Sequence, residues 1–227
     1  MWYDDLPDGA AWTNLMSRYV RCNCGGITRP FKRCEACGVR AAGLEQAPSE
    51  DGSTPHSYTF AGAEERIEDY QLLALMEREW KREAHNDATM GWMTTGMSQR
   101  ASVVILFWTY YETRINRLIT LGAQSLPKAV SADLLKRYDS VTSHTRALYQ
   151  ILFGTTYLED LVAVGAEDIG GHLSRVQKAR NEFVHGHPSA ISDELVEAVV
   201  RNLEKEHEAW VRVLNRRVAS SRATSPT

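Results

Sequence analysis

Apolar residues recur at spacings of three and four over most of the chain, a period that is typical of amphipathic helices. The pattern predicts helices over 64–86, about 98–123, about 131–153, from about 167 to the stretch ARNEFVHGHP (179–188), and from Ser192 to about Val218. After residue 62 the sequence has no convincing alternation of the kind that predicts strands. The body is therefore predicted to be an all-α bundle.

Composition divides the chain into four segments. Residues 1–42 hold all four cysteines, and residues 43–63 are rich in Gly, Pro, Ser and acidic side chains, which is typical of a linker. Residues 64–218 form the predicted helical domain, and residues 219–227 are predicted to be a disordered tail.

Two of the predicted helices each carry one charge inside an otherwise apolar stripe. One stripe comprises Ala101, Ile105, Trp108, Glu112, Ile115 and Ile119, and the other comprises Ile169, Leu173, Val176, Arg180, Phe183 and His187. Because an isolated buried charge is costly, we expect Glu112 and Arg180 to lie close together, either paired or in one network. The alternative is that the stripes are rotated and both charged side chains reach solvent.

The C-terminal end of the Arg180 helix gathers polar side chains. Asn181 and His185 lie four residues apart on one flank, and Gly186 and Pro188 end the helix. The helix dipole favours a protonated imidazole there, and Arg180 offers a planar fork of donors for a phosphate. A proton-exchanging group and a cation beside the phosphate are what metal-free cleavage of RNA requires.

On a straight helix Arg180 and His185 point about 140° apart, so a single copy of the chain is not expected to complete such a site. Two copies related by a twofold axis would bring both groups into one cleft. His185 and His187 could instead form a metal pair, although that reading needs a further ligand.

The segment RNEFVH (180–185) resembles the motif of the HEPN superfamily (higher eukaryotes and prokaryotes nucleotide-binding), an arginine followed after four to six residues by a histidine. Asn181 matches the asparagine that commonly follows the arginine in that family. The resemblance covers about residues 64–218: an all-α body, the motif near the end of the penultimate main helix, and an earlier helix with Glu112 in its stripe.

The resemblance implies an HEPN-like bundle and a metal-independent endoribonuclease that cuts RNA as a homodimer with one composite cleft. It implies catalytic roles for Arg180 and His185 and a supporting role for Asn181, while acidic residues in the position of Glu112 vary in role. Members of the family serve in toxin–antitoxin and anti-phage systems, which implies an antitoxin or defence protein as partner. Other members only bind nucleotides or partner proteins, and this is the alternative function.

The four cysteines form two close pairs in CNCGGITRPFKRCEACG, namely Cys22 with Cys24 and Cys34 with Cys37. Two such pairs are typical of a structural zinc site with four thiolate ligands. The segment resembles a short zinc ribbon, although Cys-x-Cys departs from the more usual Cys-x-x-Cys. A catalytic dithiol is the alternative, and a disulfide is not expected in a reducing compartment.

Basic side chains crowd this module: Arg18, Arg21, Arg29, Lys32, Arg33 and Arg40, against the single acid Glu35. With Tyr19 and Phe31 available for stacking, the module could hold single-stranded RNA, or these could be the solvated side chains of a small domain. A second basic run, RVLNRRVASSR (212–222), could flank the RNA cleft or be a solvated helix end.

The whole chain has a formal net charge of −3 and no apolar run long enough to span a bilayer. Its acidic N-terminus lacks the basic and apolar regions of a signal peptide, so we expect a cytoplasmic protein that does not enter membranes. A zinc-dependent regulator of DNA is a third and weaker hypothesis, because no helix with base-reading side chains stands near the cysteines.

Overall fold

The computed structural model describes residues 19–22, 24–29, 32–39, 67–81, 97–138 and 140–223. Helices make up 75% of these residues, so the prediction of an all-α protein is confirmed. The linker predicted at 43–63 lies outside the described residues. Within the described ranges, no helix combines the length and apolar character that crossing a bilayer requires.

The chain forms two compact units. The first, which we call the cysteine unit, comprises Met1–Tyr70 and Val211–Thr227, and the second, the helical unit, comprises Gln71–Trp210. The end of the last helix thus belongs to the cysteine unit, whereas the sequence placed residues up to 218 with the helical domain.

Two short strands and a series of helices make up the described part of the chain. The strands are β1 (Val20–Arg21) and β2 (Ile27–Thr28), which pair antiparallel. The helices are α1 (Ile67–Lys81), α2 (Ala101–Ala123), α3 (Lys128–Arg137), α4 (Val141–Ser143), α5 (Tyr149–Phe153), α6 (Tyr157–Ala163), α7 (Glu167–Val184) and α8 (Asp193–Ala223). A π-helical turn, His144–Leu148, joins α4 to α5, and a 3₁₀ turn, Pro188–Ala190, precedes α8.

Helix α2 lies at the centre of the helical unit and packs against α5 and α7. Its side chains Phe107 and Leu118 are fully buried, as are Tyr149 of α5 and Val176 of α7. Burying each such side chain stabilises the fold by roughly 1.5–3 kcal/mol. Gly122 permits the close approach of α2 and α5, because a Cβ added there would lie 2.6 Å from the Phe153 ring.

The single helix predicted over 131–153 is wrong, since the structure has α3 and α4 separated by residues 138–140. Helix α3 begins one residue after Pro127, and Ser140 then starts a new helix through a capping box with Ser143. In this box each side-chain oxygen accepts a hydrogen bond from the other residue's backbone N–H at 3.2 Å. Such bonds satisfy the donors of a helix start and end the preceding helix.

The interval between the helices predicted to end at 153 and to begin near 167 contains α6. Its start is a second capping box, in which the Thr156 backbone N–H donates to Glu159 Oε2 at 2.6 Å. The predicted start near Glu167 is correct, and so is Ser192 as the residue before α8, whose Oγ accepts from the Leu195 N–H at 3.4 Å. The tail predicted from residue 219 is helical as far as Ala223, and residues 224–227 lie outside the described part of the chain.

Candidate functional site

The core-facing side of α2 differs from the predicted stripe. Glu112 is only half-buried, and the fully buried charge on α2 is Arg114. On α7 the predicted stripe is buried through Val176, after which Arg180 is half-buried and His187 is exposed. Placing Glu112 and Arg180 within the core was therefore wrong, because both lie at its edge.

Two fully buried charged side chains, Arg114 and Glu206, lie elsewhere in the helical unit. The Arg114 guanidinium lies between two aromatic rings, 4.6 Å from the centroid of Tyr110 and 4.4 Å from that of Trp210. Glu206 of α8 is also fully buried. Burial raises the pKa of Glu206 to about 7, and the charge of Arg114 acts in the opposite direction. Neither residue was singled out from the sequence.

Glu112 and Arg180 nevertheless share one pocket of about 400 Å³ in the helical unit. Three segments build it: α2, residues 140–144 and α7. Its polar lining side chains include Glu112, Asn116, His144, Gln177, Arg180 and Asn181. The ion pairs of the described residues do not include one between Glu112 and Arg180, so the two charges share a pocket without direct pairing.

The carboxylate of Glu112 is held in place by its own helix. One turn earlier, Trp108 is 4% exposed and its indole N–H donates to Glu112 Oε1 at 2.7 Å. Among the described residues no donor binds the second oxygen, Oε2. Each carboxylate oxygen can accept about two hydrogen bonds, so Glu112 retains acceptors for a ligand.

On the α7 side of the pocket, Arg180 and Asn181 are joined by a hydrogen bond. The Arg180 Nη1 donates to Asn181 Oδ1 at 3.2 Å. In the described part of the chain, no other acceptor binds the Arg180 guanidinium. Its remaining N–H groups, half-buried at the pocket, are suited to an anionic ligand such as a phosphate.

His185 lies outside this pocket. It is the residue that ends α7, is exposed, and is followed by Gly186 with a positive φ of 92°. The structure thus brings Arg180, Asn181 and Glu112 to one pocket, and His185, whose backbone N–H donates to Asn181 O at 3.1 Å, is not among the residues that line it. The alternative metal site of His185 and His187 lacks a third ligand. Among the described residues, the four cysteines are the one group of three or more potential ligands that lie close enough together to hold a metal ion.

His144 lines the pocket and was missed by the sequence reasoning. Its Nδ1 lies 2.9 Å from Asn116 Oδ1, and its Nε2 lies 2.5 Å from the Tyr138 carbonyl oxygen. On the same wall, the side chain of Gln177 donates to the Thr142 hydroxyl. These bonds tie His144 to α2 and Thr142 to α7, so both neighbouring helices hold this wall of the pocket.

In the cysteine unit, the four predicted ligands lie together. The Sγ atoms of Cys22, Cys24, Cys34 and Cys37 all lie within 4.8 Å of one another. Cys22 and Cys37 are 3.5 Å apart and Cys24 and Cys34 are 3.7 Å apart, far beyond the roughly 2.05 Å of a disulfide bond. A tetrahedron with metal–sulfur bonds of about 2.3 Å has edges of about 3.8 Å. The cluster therefore fits a single tetrahedral metal ion.

Two hydrogen-bonded turns, each with a glycine of positive φ, present the sulfurs. In the first, Gly25 N donates to Cys22 O at 2.9 Å and Cys22 N donates to Gly26 O at 2.8 Å. In the second, Gly38 N donates to Cys34 O at 2.7 Å and Cys34 N donates to Val39 O at 2.9 Å. Gly25 and Gly38 have positive φ values of 91° and 72°, which only glycine adopts readily.

The thiols of the cluster differ in acidity. Burial raises the pKa of Cys24, but the Gly26 N–H that donates to its sulfur at 3.3 Å, together with the neighbouring thiols, outweighs it and lowers the pKa to about 7. Burial raises the pKa of Cys34 to about 12. A bound cation would favour the thiolate form of every member.

The surface around the cluster bears on RNA binding. Tyr19 is 6% exposed and the Arg29 guanidinium lies 5.9 Å from its ring centroid, so Tyr19 is not available to stack a base, contrary to expectation. Phe31, Arg18 and Arg40 lie outside the described residues. Lys32 and Arg33 are exposed, and Arg33 Nη1 donates to Gly38 O at 3.0 Å.

The second basic run, residues 212–222, lies on the end of α8. Arg212 and Arg216 are exposed along it, whereas Arg217 is 9% exposed. Part of this run therefore packs within the cysteine unit rather than facing solvent.

Comparison of the chain with protein-family models, with curated proteins and with solved structures gave no match. The function is therefore argued from the pocket of the helical unit and the cysteine cluster themselves.

Proposed function

We propose that this protein is a metal-independent endoribonuclease of the HEPN type, acting as a homodimer. The observation that carries the proposal is the shared pocket of Arg180, Asn181 and Glu112. The motif RNEFVH supplies two of these residues, and Glu112 comes from a separate helix that the resemblance also singled out. The cellular setting that we propose is the cytoplasm, in anti-phage defence or as a toxin with an antitoxin or defence partner.

In the proposed reaction, a ribose 2′-hydroxyl attacks the neighbouring phosphorus and the 5′-oxygen of the next nucleotide leaves. Arg180 binds the phosphate and stabilises the charge that develops in the transition state. Asn181 positions the Arg180 guanidinium through the 3.2 Å hydrogen bond. One His185 of the composite cleft accepts the proton of the 2′-hydroxyl and a protonated His185 donates one to the leaving 5′-oxygen, so that the products are a 2′,3′-cyclic phosphate and a 5′-hydroxyl.

The homodimer is needed because His185 lies outside the pocket that holds Arg180. An exposed imidazole at a helix end is accessible to a second copy of the chain. A twofold axis near the C-terminal end of α7 would place His185 of each copy beside Arg180 of the other. The complete site would then exist only in the dimer.

We further propose that the ion held by the four cysteines is zinc, with a structural role. Zinc prefers four thiolates in a tetrahedron, and the sulfur spacings fit that geometry. With every position taken by a cysteine, the ion would stabilise the cysteine unit and leave no open position for a substrate.

The nuclease proposal is tested with purified protein and labelled RNA in buffer without added divalent cations. Cleavage is expected to persist with EDTA present, provided that the zinc content stays unchanged, and to fall at least about a hundredfold in His185→Ala and Arg180→Ala. His187→Ala is the matched control, because His187 is exposed two residues away and lies outside the motif. Undiminished cleavage by His185→Ala would overturn the catalytic assignment.

A second candidate is a binding module that does not cut RNA. Its supporting observation is that the histidine within the pocket, His144, has both ring nitrogens engaged with Asn116 and Tyr138. On this alternative the pocket binds a nucleotide and recruits a partner. It is favoured if the protein binds nucleotides yet leaves RNA intact under all the conditions above.

A further inference from the structure

We propose that the pocket of the helical unit recognises a guanine base, with Glu112 as the residue that reads its edge. This inference rests on the proposed function, because it places a base-specific subsite beside the phosphate bound by Arg180. The expected substrate is RNA that is cut next to a guanosine.

The geometry of Glu112 suits it to the recognition of a ligand that donates hydrogen bonds. Trp108 is almost fully buried and its indole N–H donates to Glu112 Oε1 at 2.7 Å. That bond anchors one oxygen of the carboxylate to a buried side chain of the same helix. The remaining acceptor positions face no described donor, so a ligand that offers N–H groups would satisfy them.

The acceptor-only character of a carboxylate selects among the four bases. Guanine presents two adjacent donors, N1–H and the 2-amino group, on its Watson–Crick edge. Adenine and cytosine each present one amino group beside a ring nitrogen acceptor, which repels a carboxylate. Uracil presents one N–H between two carbonyl oxygens. A carboxylate in this pocket therefore binds guanine best. The other bases would leave its acceptors unpaired, and polar sites discriminate strongly against such ligands.

The pocket is large enough for a nucleotide. Its volume of about 400 Å³ lies within the range of roughly 300–1,000 Å³ that small-molecule sites occupy. Arg180 and Asn181 lie on the same lining as Glu112, so a nucleotide can contact the carboxylate with its base and the guanidinium with its phosphate. The bonds of His144 to Asn116 and Tyr138 hold the third wall in place.

The test is the binding of 3′-GMP, 3′-AMP, 3′-CMP and 3′-UMP by calorimetry. For the parent protein we expect 3′-GMP to bind roughly five- to a hundredfold more tightly than the other three. Glu112→Gln keeps an oxygen for the Trp108 N–H but removes the carboxylate, and is expected to abolish the preference. Glu112→Ala is the second variant and is expected to abolish it as well. Glu182→Gln is the control, since Glu182 is exposed on α7 and lies outside the pocket.

Arg180→Ala separates phosphate from base recognition. It is expected to weaken all four nucleotides by similar factors while the ranking is kept. Equal binding of the four nucleotides by the parent protein, binding of none, or an intact preference in Glu112→Gln would overturn the guanine site.

Failure of this inference can be told apart from failure of the nuclease. If the protein cuts RNA without a preference for guanosine, the nuclease proposal stands and the guanine site is refuted. Preferential binding of 3′-GMP by a protein that does not cut RNA keeps the guanine site and removes the nuclease.

Discussion

The side chain of Asn215 on α8 makes two hydrogen bonds to the main chain of Ile27 on β2. The Ile27 N–H donates to Asn215 Oδ1 at 2.6 Å, and Asn215 Nδ2 donates to Ile27 O at 2.7 Å. Both residues are buried, and the adjacent Gly26 is packed so closely that an added Cβ would lie 3.0 Å from Asn215 Oδ1 and from Cys34 Sγ. The side-chain amide of Asn215 thus binds both main-chain polar groups of Ile27, as a neighbouring strand would. These two bonds fix β2 to α8 within the cysteine unit.

Replacing Asn215 by Leu is expected to loosen the cysteine unit. The variant leaves a buried N–H and a buried C=O of Ile27 without partners, at a cost of about 1–3 kcal/mol for each. Faster hydrogen exchange at Ile27 and faster loss of metal to a chromogenic chelator would report the effect. Asn202→Leu is the control on the same helix, because Asn202 donates only within α8, to Ala198 O. Equal rates in the two variants would contradict the role given to Asn215.

Metal analysis should find one zinc ion per chain, held by four thiolates. Native mass spectrometry gives the stoichiometry, and a thiol reagent counts the cysteines released when a chelator removes the ion. Because a small module has little core of its own, removing the ion is expected to unfold the segment that carries the four cysteines. Cys34→Ser is expected to weaken binding strongly, since Cys34 is buried within the cluster. A protein isolated without bound metal, with all four thiols reactive, would refute the site.

Stability is expected to fall as pH rises toward and above 7, because of Glu206. Burial raises the pKa of this carboxyl from 4.5 to about 7, so the folded state binds a proton that the unfolded state has released. The contribution is fully present below pH 4.5 and is lost as pH rises through 7. This difference in pKa between the folded and unfolded states corresponds to about 3 kcal/mol.

Glu206→Gln tests this dependence, because the amide has similar shape and does not titrate. Between pH 5 and pH 8, the free energy of unfolding of the variant should rise relative to the parent by up to about 3 kcal/mol. Urea denaturation at both pH values measures it. A difference between variant and parent that does not change with pH would show that Glu206 does not titrate in this range.

His172 should act in the opposite direction at acid pH. The residue is 1% exposed, and burial, with the charge of Arg175, lowers its pKa from 6.5 to about 4. Its contribution to stability is present above pH 6.5 and is lost as pH falls through 4. His172→Gln should therefore resist acid unfolding better than the parent, relative to their difference at pH 7. Parallel stability curves from pH 7 to pH 4 would rule this out.

The sequence predicted the main helices and the grouping of the cysteines, and the reasons are local. Helices α1, α2, α7 and α8 each have a strong apolar period, and the cysteines stand close together along the chain. The two missed helix starts also had local signals. Ser140 with Ser143 and Thr156 with Glu159 both have the spacing of a capping box, a signal that is independent of the apolar period.

The orientation of α2 could not be read from its apolar period. The helix is buried on several sides, with Val104, Tyr110 and Ile115 all inside, so one stripe does not stand out from the others. The choice between Glu112 and Arg114 as the buried charge depends on Trp210 and Glu206, which lie almost a hundred residues later. The position of His144 in the pocket could not be predicted for the same reason, because its partner Asn116 lies on another helix.

The attachment of Asn215 to Ile27 has a practical consequence for protein production. The sequence alone would suggest a fragment that ends between the cysteines and the helices. Such a fragment keeps all four cysteines but lacks Asn215, whose side chain binds the main chain of Ile27. Expression trials of the metal-binding portion should include residues 211–223, for instance by joining the two pieces through a short designed linker.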